Sequence, residues 1–454
     1  MIFDFLKYCL GNEVDMTELV AKMDWRQLYD FAKKQAIVGF CFEGIERLGN
    51  EYPEELRQNP IGQDFLMEWM GKAQQIRRRN MKVNMVAGEL YSQLRKDGLR
   101  CCVLKGQGNA LMYPEPYSRT PGDIDVWVNA ERASLTEYAK KHFTLGDDIR
   151  YHHLETSMDG VPVELHFMPG IMNNVVYNHR LQKWFKRNVD LQCSNVVSLP
   201  DDAGEIAVPT TAFNTIYQLC HLYHHFFDEG IGMRQIIDYY FVVNDFGKVK
   251  ETFSKTHPSS LTLKGGSTSF PKPLSPQGTG DVTAPTRRSE PLRSKVGGPS
   301  EVSPECLTQQ SCDCLCGVNR LAEDTLATDE TSLADESLEA LQRELKNLGL
   351  WMFAGAVMYV LHEVLGLSEE KMIVPMDEKR GRLLLSEILN GGNFGKHFSK
   401  YGHFTQQGMA KKYFLKIWRN MHFVRYYPAE ALSEPIFRTW HFLWRMLNRK
   451  LLIR

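Results

Sequence analysis

The chain has 454 residues, 43% of them hydrophobic and 24% charged, enough for two or three cores and typical of an ordinary soluble globular protein. Fifty-four Lys and Arg stand against 55 Asp and Glu, for a net charge of -1. No global basic field therefore recruits nucleic acid, and a small-molecule or protein acceptor is the better expectation.

The opening MIFDFLKYCLGNEVD has no basic leader and no small-residue cleavage site, so it does not read as a signal peptide. Ten cysteines form no framework, and Cys101 and Cys102 sit side by side in an apparent core strand, which suits reduced thiols in a cytoplasm. Residues 1–97 read as an N-terminal helical region. The segment DWRQLYDFAKKQAIVGFCFEGIERL spaces its apolar residues at three and four, as one buried helical face does. Phe65 to Arg95 continues in the same way, with QQIRRRN turned to solvent, until Asp97-Gly98 closes the helix.

From Leu99 the pattern shortens. The strand Arg100–Leu104 runs into the turn Lys105-Gly106-Gln107-Gly108, then a helical NALMY, then the turn-rich PEPYSRTPG. Asp123 to Val128 alternates as a strand does, and a helix from Ala130 to His142 follows. Tyr151 to Phe167 reads as a hairpin about Asp159-Gly160, with Val163, Leu165 and Phe167 on one face and Glu164 and His166 on the other. The succession predicts an α+β fold: a small mixed β-sheet core over 98–208, flanked by N-terminal and C-terminal helical regions.

Residues 209–252 form a helical segment. The stretch 253–335 is rich in Pro, Gly, Ser and Thr and has few large apolar residues, so we expect a disordered insertion. Its group Cys306, Cys312, Cys314 and Cys316 is spaced C-x-C, unlike the C-x₂-C pairs of common zinc sites. Helical periodicity resumes in the C-terminal region, 336–454. Its longest apolar run, Leu348 to Leu367, is broken by His362 and Glu363, so a buried core helix is expected and no membrane span.

The chemistry concentrates in GDIDVWV. Asp123 and Asp125 are two apart on one strand, so their carboxylates share a face about 6–7 Å apart. At an effective dielectric of about 20 they repel by roughly 2–3 kcal/mol. That cost is tolerated at a strand end when a cation neutralises it, and hard oxygen donors suit Mg²⁺. An isolated D-x-D is otherwise a solvated strand face; three neighbours argue against that here.

The LKGQG turn brings backbone amides to the same rim, where a phosphate would lie over Lys105, Gly106 and Gln107; alternatively Lys105 is a solvated residue at a strand end. Arg119 either neutralises phosphate bidentately or forms an exposed salt bridge to Glu115 or Asp123. Glu164, if its strand lies beside the D-x-D strand, supplies a third carboxylate and accepts a proton from an attacking hydroxyl. His166 shares that face and reads as structural or acceptor-contacting. Arg234 and Asp238 either support each other across a helical turn or face the cleft and contact the acceptor.

Taken together, LKG, the arginine before GDIDVWV, and VELHF resemble the uncharacterised nucleotidyltransferase family with a DNA-polymerase-beta-like core. HLYHHFFDEGIGMRQIIDYY resembles that family's helical segment after the core. The resemblance spans about residues 20 to 250 and the C-terminal helices. It implies a metal-dependent transfer of a nucleoside monophosphate from a nucleoside triphosphate to a hydroxyl, with Asp123, Asp125 and Glu164 binding two Mg²⁺ ions. Two departures stand out: Gly106-Gln107 replaces the usual Gly-Ser, and the third carboxylate is Glu where Asp is common. The first motivates an alternative: a catalytically weak nucleotide-binding or regulatory protein on the same fold, such as a toxin–antitoxin partner.

Overall fold

In the computed structural model, which describes residues 1–256, 337–398 and 409–448, the amphipathic run after Met23 forms two helices instead of one. The short helices α1 (Ile2–Cys9) and α2 (Thr17–Ala21) precede α3 (Trp25–Gln35), where Asp24 caps the first turn by accepting the Gln27 N–H at 2.9 Å. Ala36 then turns left-handed at φ +57, and α4 (Val38–Glu51) begins. Buried Gln35 fixes the break: its amide donates to the Ile388 carbonyl at 3.0 Å and accepts the Met233 N–H at 2.8 Å. No glycine or proline marks this stop, which is why periodicity alone misses it.

After α5 (Pro53–Gln58) comes α6 (Gln63–Lys96), 34 residues long. Its arginines 77–79 face solvent as expected, but Asn80 is buried and donates to the carbonyls of Tyr117 (3.0 Å) and Arg119 (2.7 Å). That side chain ties the loop leading to Asp123 against the long helix.

The core follows as β1 (Cys101–Leu104), α7 (Gly106–Ala110), β2 (Ile124–Val128), α8 (Arg132–His142), β3 (Thr144–Ile149), β4 (His153–Met158) and β5 (Val161–His166). The strands form one mixed sheet in the order β1-β2-β5-β4-β3. β2 pairs parallel with β5, and the other pairings are antiparallel. The expected hairpin is present, with Asp159 and Gly160 at φ +49 and +74, the positive values that a two-residue turn of this kind needs.

Alternation then sorts the sheet into two faces. Val103, Val126 and Leu165 pack with Val86, Leu90 and Leu94 of α6 and Leu135 of α8. The other face, with Cys102, Leu104 and Trp127, joins the larger helical core. There Trp127 stacks on Phe213, with ring centroids 6.0 Å apart and planes at 13°.

That second face is covered by α9 (Val175–Ser194) and α10 (Thr211–Asp228), separated by a small sheet of β6 (Val196–Ser198) and β7 (Glu205–Ala207). Next come α11 (Met233–Thr256), α12 (Leu338–Asn347), α13 (Trp351–Leu365), α14 (Glu378–Gly391), α15 (Met409–Met421) and α16 (Pro428–Asn448). The mixed helix-and-strand fold is the α+β architecture expected. The apolar run is indeed a buried helix, α13, with Phe353 to Leu361 inside the core. No helix among the described residues is long and apolar enough to cross a membrane. The expected disordered insertion, 253–335, with its cysteine group, lies outside the described residues from residue 257 on.

Candidate active site

Register places the acidic side chains in one row across the sheet. Leu104 on β1 lies opposite Asp125 on β2, Asp125 opposite Glu164 on β5, and Glu164 opposite Glu155 on β4. The next row on the same face runs Cys102, Trp127, His166, His153. Two carboxylates and an imidazole thus converge: the ligand atoms of Asp125, Glu164 and His166 lie within 4.8 Å of one another. Asp123 immediately precedes β2 and lines the same cleft.

Two cations already balance this charge. Lys105 Nζ is 3.0 Å from Asp125 Oδ1. His166 Nε2 is 3.0 Å from the same oxygen and 3.2 Å from Glu164 Oε2. Burial opposes the charge on Asp125, but Lys105 and His166 outweigh it and hold the carboxyl well below its ordinary value. Burial also opposes charge on His166, yet its bonds to Asp125 and Glu164 carry the imidazole up to about 9, so it is protonated at neutral pH. Asp123 lines the same cleft and is exposed to solvent at its mouth. Its carboxyl is pushed up to about 6, by lost hydration first and then by repulsion from Asp125 and Glu164.

Such a donor set fits a divalent cation. Carboxylate oxygens on adjacent strands converge beside a ring nitrogen within one cation's reach, and their negative charge is balanced here by Lys105 and His166.

The cleft beside these residues is narrow, with a cavity volume of about 50 Å³. Lys105, Gly106, Asp123 and Asp125 line one wall; Gln218, His221, Arg234, Gln235 and Phe394 line others. Lys105 holds a positive φ of 53, uncommon for a residue with a side chain, and its amine also donates to His221 Nε2 at 3.1 Å. Burial and the nearby Lys105 keep His221 well below its ordinary value, and a neutral ring is an acceptor.

Gln107 behaves differently from Lys105. Its side chain is buried and donates to Asn84 on α6, so only its backbone faces the turn. Arg119 pairs neither with Glu115 nor with Asp123. It forms a buried bidentate pair with Asp238, at 2.7 and 2.8 Å, and Tyr113 donates to the same carboxylate at 2.8 Å. Because Asp238 is engaged there, Arg234 turns instead to the Thr120 carbonyl at 3.0 Å. Among the described residues, the Nε–H of Arg234 and the amide nitrogen of Gln235, both buried at the cleft, have no hydrogen-bond partner.

Sequence reasoning missed Glu155 and His153. Counting outward from the Asp159-Gly160 turn finds both, since a two-residue loop sets Glu155 against Glu164 and His153 against His166. Phe394 and Gln235 carry no motif at all.

A family model described as an uncharacterised nucleotidyltransferase matches residues 21–252. No curated protein matches the chain. Among solved structures, an antigenic nucleotidyltransferase-like protein from Paracoccidioides brasiliensis is similar over 39% of this chain and 88% of that one, at 14% identity and a TM-score of 0.25.

Proposed function

The chain belongs to the uncharacterised nucleotidyltransferase family, and from that membership we propose that it moves a nucleoside monophosphate from a nucleoside triphosphate to a hydroxyl of a small-molecule or protein acceptor. The observation that carries this reading is the pairing of Asp125 with Glu164 across parallel strands, at the edge of a cleft whose wall includes Lys105 and Gly106.

Asp123, Asp125 and Glu164 would hold Mg²⁺, two ions in the arrangement we favour; bound there, the metal neutralises phosphate oxygens and favours the ionised acceptor. The remaining work falls to the chain's own groups. Lys105 and the backbone of Gly106 and Gln107 lie against the phosphates. The donors of Arg234 and Gln235 face the same cleft and hold the triphosphate or the acceptor. The acceptor oxygen attacks the α-phosphorus in line, its proton passes to Glu164, and the bond to the bridging oxygen breaks to release pyrophosphate. Arg119 and Asp238 brace the loop before Asp123 instead of touching substrate.

The experiment is transfer of label from an α-labelled triphosphate with divalent cation, comparing the wild type with Asp123→Asn and Asp125→Asn. Loss of at least about a hundred-fold in each variant is expected. Label that persists in both would refute this site. A second reading, nucleotide binding without turnover, is favoured by the burial of Gln107, which leaves no side-chain hydroxyl or amide at the turn. Calorimetric binding of triphosphate with no pyrophosphate release across a broad acceptor panel would select it.

A further inference from the structure

The two helices at the far end of the described chain, α15 and α16, expose an apolar stripe on a strongly cationic segment. Along α16, Leu432, Ile436, Trp440, Leu443 and Leu447 recur every three or four residues, and each is at least 42% exposed. On α15, Phe414, Trp418 and Met421 do the same, from 48% to 69% exposed. The helices are joined by a hydrogen bond between Tyr413 and Thr439. Single exposed apolar residues are ordinary, whereas two helical stripes side by side are not.

The opposite face of α16 explains why the stripe is not simply a misplaced core. Glu430 accepts the backbone N–H groups of Asn173 and Asn174, Arg438 pairs with Asp228 at 2.8 Å and with Glu434, and Trp444 reaches Tyr151 edge-on at 5.6 Å; Trp440, at the margin between the two faces, touches the same ring at 4.9 Å. The helix is docked on one side, which leaves the stripe facing out.

Charge selects the occupant. Residues 409–454 hold ten of the chain's 54 Lys and Arg but only two of its 55 Asp and Glu, which leaves 44 bases against 53 acids elsewhere. Both glutamates of the segment, Glu430 and Glu434, are buried and engaged inward, and Lys416, Arg419 and Arg438 are paired inward with Asp228 and Glu387, while Lys411 and Arg425 face solvent. A second copy presenting the same segment would repel this one. A nucleic acid would match the charge but gains nothing from leucine, isoleucine and methionine at a helical period.

We propose that α15 and α16 form an interfacial anchor that lies on an anionic lipid surface, with the Leu, Ile and Trp stripe sunk to the headgroup–acyl boundary and the solvent-facing cations, Lys411 and Arg425 among them, at the headgroups. This anchor is independent of nucleotidyl transfer.

The test is co-sedimentation of the full chain with phosphatidylcholine vesicles, with and without a third of phosphatidylglycerol. Wild-type protein is expected to partition at least about ten-fold better to the anionic vesicles, and less as salt rises. The double substitution Ile436→Asp with Leu447→Asp alters two exposed positions, so its melting temperature should hold while partitioning falls at least about ten-fold. Four outcomes would overturn the proposal. They are no partitioning of the wild type, equal partitioning of the variant, a lipid-free dimer in light scattering that the variant dissolves, or salt-sensitive binding of a single-stranded oligonucleotide with none of vesicles.

Discussion

His166 and Asp125 are bound Nε2 to Oδ1 at 3.0 Å, and the same nitrogen lies 3.2 Å from Glu164, so one imidazolium bridges two carboxylates. Folding raises that imidazole from 6.5 to about 9, so its contribution is complete below about pH 6.5 and fades as pH climbs through 9. The stability gap between wild type and His166→Gln should therefore be on the order of 2 kcal/mol near pH 6 and shrink toward zero near pH 10. Denaturant titrations at the two pH values read it. A gap that grew with pH would contradict the bridging charge. His166 also competes with a cation for the same oxygens, so Mn²⁺ should raise the melting temperature of the variant more than that of the wild type.

Asp123 has the opposite sign. Its carboxyl is raised from 3.8 to about 6, so the folded state loses stability as pH climbs through that window and the group ionises beside its acidic neighbours. Asp123→Asn removes that penalty. After allowing for solvent screening at this exposed position, the metal-free variant should gain about 1 kcal/mol near pH 7.5 and nothing near pH 4. Melting curves in chelator decide it, and a variant less stable than wild type at the higher pH would show that Asp123 is not under repulsion.

The sign of those two predictions depends on details that were unevenly legible beforehand. The strands β1 and β2, the Asp159-Gly160 hairpin and the shared face of Glu164 and His166 follow from strand patterning and turn chemistry, which are local. β3 (Thr144–Ile149) was missed because TLGDDI lacks alternation. The break between α3 and α4 was missed because Gln35 makes it through bonds to residues 198 and 353 positions away. Arg119 is the sharpest case. As a sequence it sits four residues before Asp123 and reads either as a phosphate ligand or as an exposed partner of Glu115 or Asp123, yet its partner Asp238 is 119 residues on. No local pattern encodes such a pair.

That pair predicts its own cost. Arg119 and Asp238 are both nearly sealed from water, at 5% and 4% exposed, so removing one partner strands a buried charge. Arg119→Ala should lose about 3–5 kcal/mol by chemical denaturation even without nucleotide, whereas Arg119→Met with Asp238→Leu should recover much of the loss. A phosphate-binding role predicts the reverse: near-native stability and a weakened nucleotide. Arg119→Ala with unchanged stability would return Arg119 to the substrate.

Phe394 offers a test of the cleft wall that does not touch the carboxylates. Its ring lies 5.5 Å from the Arg234 guanidinium and 5.3 Å from the His225 ring, and its backbone is left-handed at φ +54. The conformation is held by close packing: a Cβ added at Gly232 would come within 2.7 Å of the Asn393 Cα. Ring removal therefore frees Arg234 to swing without disturbing the sheet. Phe394→Ala should weaken triphosphate binding by about ten-fold, roughly 1.4 kcal/mol, through loss of the cation–π contact and the oriented guanidinium. Phe394→Tyr keeps the ring and should restore it. Calorimetric titration with a non-hydrolysable triphosphate measures both. Equal affinity in the two variants would mean that Phe394 only fills space and that Arg234 is positioned by its bond to the Thr120 carbonyl alone.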